Sequence, residues 1–267
     1  MSALTTRTGP PTLTGGWRAH RVLERNLMVS KRSWVLVLSG FFEPVFYLFS
    51  IGVGVGAMVG DVQVGARTVS YAAFVAPALL SSSAMNGAVF ESTLNIFFKL
   101  KWGKVYDAML STPLRPADVA AGEIGWSLLR GGLYAIGFMV VMALFGLAES
   151  WWTLMAIPAA LLIGFAFASV GMAATTFMRS WQDFDLINVV TLPLFLFSAT
   201  FYPLDVYPPA IQTVTRISPL YHGVELVRAF TLGMFDWSLA GHAAVLLGMG
   251  LIGLRVASGR LERLLLA

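Results

Sequence analysis

Five long stretches of the chain contain no aspartate, glutamate, lysine or arginine. They lie at 68–90, 131–148, 150–178, 186–204 and 237–254, and a sixth stretch at 33–60 contains one charged residue, Glu43. A helix needs about 20 apolar residues to cross the hydrocarbon core of a bilayer, and each stretch is close to that length. None of them alternates apolar and polar residues as a membrane β-barrel strand would. The pattern therefore predicts a membrane protein built from helices.

The composition excludes several other classes of protein. Of the 267 residues, 57% are hydrophobic and 12% are charged, whereas soluble domains carry about 25% charged residues. A soluble enzyme, a disordered chain and a coiled coil are therefore excluded. The absence of cysteine excludes disulfides and cysteine-ligated metals. No P-loop, HExxH or GxSxG motif is present, so we expect no metal and no cofactor on this chain.

We therefore predict an all-α integral membrane protein that forms one transmembrane domain over residues 1–267. Its six transmembrane helices are expected near 33–59, 70–98, 121–147, 152–178, 184–202 and 237–257. An interfacial helix precedes them, and a hairpin dips into the membrane from the outside.

The basic residues predict the orientation of these helices. Of the 18 lysines and arginines, 14 fall in the N-terminal segment, in the loops after the second and fourth helices, or after the last helix. Only Arg67, Arg216 and Arg228 fall on the other side, and Arg130 lies inside a helix. Because cytoplasmic loops of membrane proteins are enriched in lysine and arginine, both termini are expected in the cytoplasm. The net charge of +4 thus indicates topology, and we expect no nucleic acid as a partner.

The segment 13–32 has the pattern of an amphipathic helix. One face carries the basic residues Arg18, Arg21, Arg25 and Arg32. The opposite face carries Leu13, Trp17, Leu23 and Leu27. Such a helix can anchor the chain on anionic lipid, or its polar face can also touch a cytoplasmic partner.

The cytoplasmic loop 99–118 predicts a second amphipathic helix, at about 101–112. Val105, Tyr106, Met109 and Leu110 share one side of it, and Pro113 and Pro116 forbid its continuation. The helix could lie on the lipid surface. We expect instead that it docks on a cytoplasmic partner through the residues Tyr106, Asp107, Met109 and Leu110.

Three charged residues, Glu43, Glu91 and Arg130, lie inside predicted transmembrane helices. An unpaired charge there costs about 2.5–3.5 kcal/mol on insertion scales. Depth along the helices at 1.5 Å per residue predicts that Arg130 pairs with Glu43 first and with Glu91 second. Such a pair either holds helices together or forms a polar patch that faces a transport pathway.

The outer segment 203–231 predicts a helical hairpin. Proline residues precede one short helix at about 210–217, and Ser218-Pro219 begins another at about 220–231. Each helix is about half a bilayer long. Glu225 and Arg228 are spaced to pair along the second helix. The polar residues either solvate an outer rim or belong to an outer gate, whose exit would be lined by Phe201, Tyr202, Tyr207 and Tyr221.

Several motifs resemble those of one transporter family. They are YDAMLSTPLRPADVAAGEI at 106–124, FYPLDVYPPAIQTVTRISPLYHGVELVRAF at 201–230, SSSAMNGAVFEST at 81–93 and GFAFASVGM at 164–172. The chain resembles the membrane subunits of ABC type 2 exporters over nearly its whole length. Within that family it is similar to the branch that contains the lipo-chitooligosaccharide (nodulation factor) export permease.

This resemblance implies a multi-pass protein of the bacterial inner (plasma) membrane that pairs with a second permease protomer, identical or different. Two ABC ATPase subunits would bind from the cytoplasm and would hold the ATP and Mg. The segment 13–32 would be the connecting helix, 101–112 the coupling helix and 203–231 the re-entrant outer hairpin. Membrane lipid is a further expected partner.

The leading functional hypothesis is therefore an ATP-driven exporter subunit for an amphiphilic, lipid-linked or drug-like molecule. One alternative is an integral membrane enzyme that modifies lipid with Glu91, Glu123, His222 and Glu225 as acid and base groups. The predicted topology opposes it, because the first two carboxylates are cytoplasmic and the other two groups lie outside. A passive pore or a structural membrane subunit is the remaining alternative.

Overall fold

The computed structural model describes residues 18–31, 42, 45–65, 67–148 and 150–266. The described chain is mostly helical. Its helices are α1 (Ala19–Ser30), α2 (Val45–Val59), α3 (Tyr71–Trp102), α4 (Val105–Leu110), α5 (Pro116–Leu144), α6 (Trp151–Thr175), α7 (Asp183–Leu196), α8 (Pro209–Ile217), α9 (Pro219–Leu232) and α10 (Ser238–Leu265).

A β-hairpin interrupts the helices, so the all-α prediction is wrong for this segment. Strands β1 (Asp61–Val64) and β2 (Arg67–Ser70) pair antiparallel, with Asp61 opposite Ser70 and Val64 opposite Arg67. Valine and threonine favour strands, and Gly65 adopts the positive φ of 59° that the tight turn requires. Strands of only four residues, which also include Asp61 and Arg67, cannot be recognised from long stretches without charged residues.

Among the described residues, four helices are long and apolar enough to cross a membrane: α3, α5, α6 and α10. They correspond to the helices predicted near 70–98, 121–147, 152–178 and 237–257. The helix predicted at 184–202 is shorter, because α7 ends at Leu196 and its 14 residues extend only about 21 Å. Much of the helix predicted at 33–59 lies outside the described residues, and α2 covers its second half.

Helix α6 lies at the centre of the packing and contacts α10, α3 and α5. Glycines on α10 allow the closest of these approaches. A Cβ atom at Gly253 would lie 2.8 Å from the backbone of Ser169 and Val170 on α6. Close helix contact through small residues is a common solution in membranes, where lipid competes for apolar side chains.

The C-terminal end of α3 contains two π-helical turns, Glu91–Asn95 and Phe98–Trp102. A π turn rotates the side chains that follow it, and such turns occur frequently at functional sites. In this helix Glu91 and Lys99 both contact α5. Lys104, at φ 45°, then breaks the helix and begins α4.

The outer hairpin forms almost as predicted. Helix α8 begins at Pro209 and α9 begins at Pro219, because proline already has the helical φ and needs no backbone donor at the first turn. Ser218 occupies the N-cap position of α9 as expected, but its side chain makes no capping hydrogen bond. Its hydroxyl lies 2.7 Å from the hydroxyl of Ser198 instead.

Candidate functional site

A buried carboxylate on α3 gathers donors from α5. Arg130 Nη1 donates to Glu91 Oε2 at 2.7 Å, and Trp126 Nε1 donates to Glu91 Oε1 at 3.0 Å. Asn95, one turn along α3, donates to the same oxygen as the tryptophan at 2.5 Å. Arg130 Nε also donates to Tyr134 Oη at 2.8 Å. Because Glu91 is buried and its oxygens accept three hydrogen bonds, the pair is well compensated for its loss of water.

Arg130 forms an ion pair with Glu91, which confirms the second of the two partners predicted for it. The first predicted partner, Glu43, lies outside the described residues. The Arg130 side chain remains 22% exposed, whereas the Glu91 side chain is 6% exposed.

A second ion pair lies beside the first, closer to the C-terminal end of α3. Lys99 Nζ lies 2.7 Å from Glu123 Oε2, and Asn26 Nδ2 on α1 donates to the same oxygen at 2.9 Å. Lys99 also donates to the amide oxygen of Asn26 at 3.2 Å. Glu123 and Asn26 are both buried. The cluster thus fastens α1 to both transmembrane helices.

We call the two ion pairs together the inner ladder: Glu91 with Arg130, and Lys99 with Glu123. In the first pair the acid lies on α3 and the base on α5, whereas in the second pair the base lies on α3 and the acid on α5. Sequence reasoning missed the second pair because it counted Lys99 only as a loop charge. Glu123 and Arg130 are seven residues apart on α5, and Glu91 and Lys99 are eight residues apart on α3. These similar spacings are the signal that could have revealed the second pair.

Helix α4, predicted as the coupling helix, exposes fewer of its predicted contact residues than expected. Tyr106 is fully buried and Met109 is buried, so neither side chain lies on the surface open to a partner. Asp107 is exposed and Leu110 is half-buried. The two apolar residues therefore anchor the helix to its own protomer, and the docking prediction now depends on Asp107 and Leu110.

Tyr106 lies close to the inner ladder. Burial, and then the charge of Glu123, raise the pKa of Tyr106 well above 10, so the phenol stays protonated. Helix α4 thus places a protonated phenol next to the carboxylate that binds α1 and α3.

Helix α1, predicted as the connecting helix, buries a face rotated from the predicted one. Val22 and Asn26 are buried against α5, where Gly122 leaves space for Val22. Of the predicted apolar face, Leu23 is half-buried near Gly125 of α5 and Leu27 is exposed. Helix–helix packing therefore selected a face offset from the apolar stripe, because the buried asparagine binds the inner ladder.

The predicted basic face of α1 divides into different environments. Arg18 Nη1 donates to the carbonyl of Pro113 at 2.5 Å, and exposed Arg21 pairs with Glu24 at 3.1 Å. Arg25 is half-buried, and its Nη1 donates to the Asn26 amide oxygen at 3.2 Å. The fourth predicted arginine, Arg32, lies outside the described residues.

On the outer side, Arg228 of α9 is the central contact of the hairpin. Its Nη1 donates to Glu225 Oε1 at 2.7 Å, and its Nη2 donates to the carbonyl of Ala199 at 2.8 Å. The guanidinium carbon lies 4.2 Å from the centre of the Phe74 ring on α3. The predicted pair with Glu225 is confirmed, but the rim interpretation is wrong for Arg228, because its side chain is buried.

The predicted gate aromatics contact different neighbours. Tyr202 and Tyr207 lie 6.3 Å apart between ring centres, whereas Phe201 packs on Phe195 of α7 at 5.2 Å. Tyr221 contacts the rings of two histidines instead, as described next. In the described residues the four rings thus occupy three separate places, so they line the hairpin without forming one cluster.

Two histidines join the hairpin to α10. The Nδ1 atoms of His222 and His242 lie 2.6 Å apart, so one ring donates and the other accepts. Tyr221 covers the pair, with ring centres 5.8 and 5.9 Å away. This contact between residues 20 positions apart links α9 to the last long helix.

The candidate acid and base groups of the enzyme alternative do not meet. Each of the three carboxylates is bound to a cation: Glu91 to Arg130, Glu123 to Lys99 and Glu225 to Arg228. Among the described residues no group of three or more histidine, aspartate or glutamate side chains is arranged to hold a metal ion. This arrangement positions helices and does not favour acid–base catalysis.

Comparison with known proteins supports a transport role. The ABC-2 type transporter family matches residues 20–232. The chain is 32% identical to Nodulation protein J of Rhizobium leguminosarum bv. viciae over 254 residues, which cover 94% of this chain and 96% of that protein. It is 36% identical to Nodulation protein J of Rhizobium leguminosarum bv. trifolii over 214 residues, or 79% and 80% of the two chains. It is 24% identical to the inner membrane transport permease YadH of Escherichia coli (strain K12) over 220 residues, or 80% and 83%. These similarities confirm the resemblance that the motifs indicated.

Proposed function

The chain belongs to the ABC-2 type transporter family, as a membrane transport subunit, and we propose that it is the permease of an ATP-driven exporter. The cargo would be an amphiphilic, lipid-linked or drug-like molecule, taken from the cytoplasm or the inner leaflet. The similarity to YadH, an inner membrane transport permease, supports this role and a location in the bacterial inner membrane. Both termini would then lie in the cytoplasm, as the positive-inside rule predicts.

One observation carries the proposal, namely the meeting of four helices at Glu123. This carboxylate on α5 binds Lys99 of α3 and Asn26 of α1, and it lies next to Tyr106 of α4. A force applied to the connecting or coupling helix by a cytoplasmic subunit would therefore pass directly into two long membrane helices. Such a mechanical link is what a permease without its own ATP site needs.

The partners follow from this arrangement. Two ABC ATPase subunits would supply ATP and Mg and would dock on the cytoplasmic side, at Asp107 and Leu110 of α4. A second permease protomer, identical or different, would complete the membrane unit. Helix α7 supports this partner because none of its residues is buried within the protomer. Its exposed apolar residues are Leu186, Val189, Val190, Leu192 and Leu196.

The ion pair of Glu91 and Arg130 forms a polar patch between two long helices, where a polar head group would pass. The guanidinium donates to Glu91 and to Tyr134. In the dimer this patch would face the pathway. The outer hairpin, held by Arg228, would then act as the outer gate where the cargo leaves the membrane.

The proposal is tested with the permease and its co-purifying ATPase reconstituted in lipid vesicles. We expect ATP hydrolysis to be stimulated by an amphiphile and accompanied by outward transport. In Glu123→Ala, bound ATPase should hydrolyse ATP without stimulation or transport, because the link between α1, α3 and α5 is lost. Arg21→Ala is the matched control, since its ion pair with Glu24 is exposed and lies outside the link.

Two results would contradict the proposal. Turnover of a lipid by the purified chain alone would support the enzyme alternative. Passive flux of solute through the chain without any ATPase would support a pore.

A further inference from the structure

A cleft of about 380 Å³ lies between the connecting helix α1 and the coupling helix α4. Arg25 of α1 and Lys104, which precedes the first residue of α4, both line it. Val105, Ala108 and Met109 contribute apolar side chains to the same lining. The cleft is thus lined by two cations and by apolar side chains.

The cleft is held open by contacts around it. Arg18, near the start of α1, donates to the carbonyl of Pro113 beyond the end of α4, which bridges the two segments. Val22 and Asn26 anchor α1 on α5, while Tyr106 and Met109 anchor α4. Both walls are therefore fixed to the membrane helices before any partner arrives.

Neither cation in the cleft is neutralised by a carboxylate within the part of the chain that the structure describes. Arg25 donates to the neutral amide of Asn26, and Lys104 is exposed. The nearby carboxylates are already used, since Glu24 pairs with Arg21 and Glu123 pairs with Lys99.

Residues 1–17, which precede α1 in the sequence, contain no aspartate or glutamate and so bring no carboxylate to the cleft. A carboxylate of another molecule would complement the two cations.

We propose that this cleft receives an aspartate or glutamate side chain of the ATPase subunit. The inference rests on the proposed function and adds the chemistry of the contact. A carboxylate between Arg25 and Lys104 would touch α1 and α4 together, and the methylene groups of its side chain would lie on Val105 and Ala108. Like and unlike charges at an interface select the partner and its orientation.

The test uses charge reversal in the full-length permease, co-expressed with its ATPase. Arg25→Glu with Lys104→Glu should lower the ATPase recovered per permease by about tenfold or more, because like charges then face each other. The conservative pair Arg25→Lys with Lys104→Arg should retain the ATPase. Arg21→Glu with Lys101→Glu makes the same change of charge on neighbouring exposed sites outside the cleft and should change recovery by less than about twofold.

A compensating substitution in the ATPase identifies the partner residue. Lysine substitutions at surface acids of the ATPase are combined with Arg25→Glu and Lys104→Glu in the permease, and we expect at least one of them to recover binding. Size-exclusion profiles and melting temperatures of each permease variant verify that the fold is intact.

The possible failures are distinguishable. If the double reversal keeps the ATPase as well as its control does, the cleft inference is overturned and the exporter proposal stands. If the reversal instead abolishes binding to vesicles with anionic lipid while the ATPase stays bound, the cleft serves a lipid head group and the inference is wrong. If the intact wild-type chain recovers no ATPase at all, the proposed function itself fails.

Discussion

The inner ladder and the outer hairpin both contain a buried ion pair, but the two pairs connect different things. Glu91 and Arg130 are 39 residues apart, and their contact joins α3 to α5. Glu225 and Arg228 are three residues apart on one helix, so their contact joins nothing by itself. In the hairpin the joining contacts are those that Arg228 makes with Ala199 and Phe74.

This difference teaches where each charge acts. In the inner ladder each carboxylate accepts hydrogen bonds from several side chains, and removing it takes the acceptor away from all of them. In the outer hairpin Arg228 donates to several acceptors, while Glu225 is 32% exposed and can be hydrated when Arg228 is lost. Loss of an ion pair should therefore lower the free energy of unfolding more in the inner ladder than in the outer hairpin.

The largest effect is expected for Glu91→Ala. It leaves Arg130, Trp126 and Asn95 without their acceptor, and breaking a buried pair on one side costs about 3–5 kcal/mol. Thermal unfolding in detergent should show the loss as a lower melting temperature and a lower yield of folded protein. A melting temperature unchanged from wild type would show that the ladder does not hold α3 to α5.

An intermediate effect is expected for Arg228→Ala. It removes the hydrogen bonds to Glu225 and Ala199, and we expect a loss of about 2 kcal/mol because Glu225 can reach water. Arg228→Lys keeps the charge but cannot span both acceptors, so it should recover only part of the stability. If Arg228→Ala proved more damaging than Glu91→Ala in the same assay, the comparison drawn above would be reversed.

The outer gate gives a functional version of the same comparison. Cysteine pairs placed along 210–228 of two protomers are clean probes because the natural chain has no cysteine. We expect cross-links that block export and leave ATP hydrolysis intact, since the hairpin is far from the coupling helix. Cross-links that form without any effect on transport would reduce the hairpin to a structural lid.

The smallest effect is expected at the contact between His222 and His242. His242→Gln keeps a polar side chain but disturbs one half-buried hydrogen bond, which is worth about 1 kcal/mol. The melting temperature should fall slightly, and export should persist. A fall in melting temperature as large as that of Arg228→Ala would show that the position of α9 depends more on its contact with α10 than on its contact with α3.

Several elements could be predicted because their causes lie within a few residues. The prolines that begin α8 and α9, the apolar length of the four long helices and the pairing of Glu225 with Arg228 all depend on local spacing. The inner ladder could be predicted only in part. Arg130 was assigned an acidic partner by depth alone, and the pair of Lys99 with Glu123 was missed.

The sequence by itself determined that this is a helical membrane protein, where four of its long helices lie and where its hairpin turns. Those features depend on hydrophobic length and on backbone chemistry, which are properties of short segments. Only the tertiary structure decided that α1 buries Val22 and Asn26, that Tyr106 faces inward and that Glu123 joins four helices. These outcomes depend on how each helix is rotated about its axis when it packs. The rotation is set by contacts such as that of Asn26 with Glu123, 97 residues apart, which no local pattern encodes.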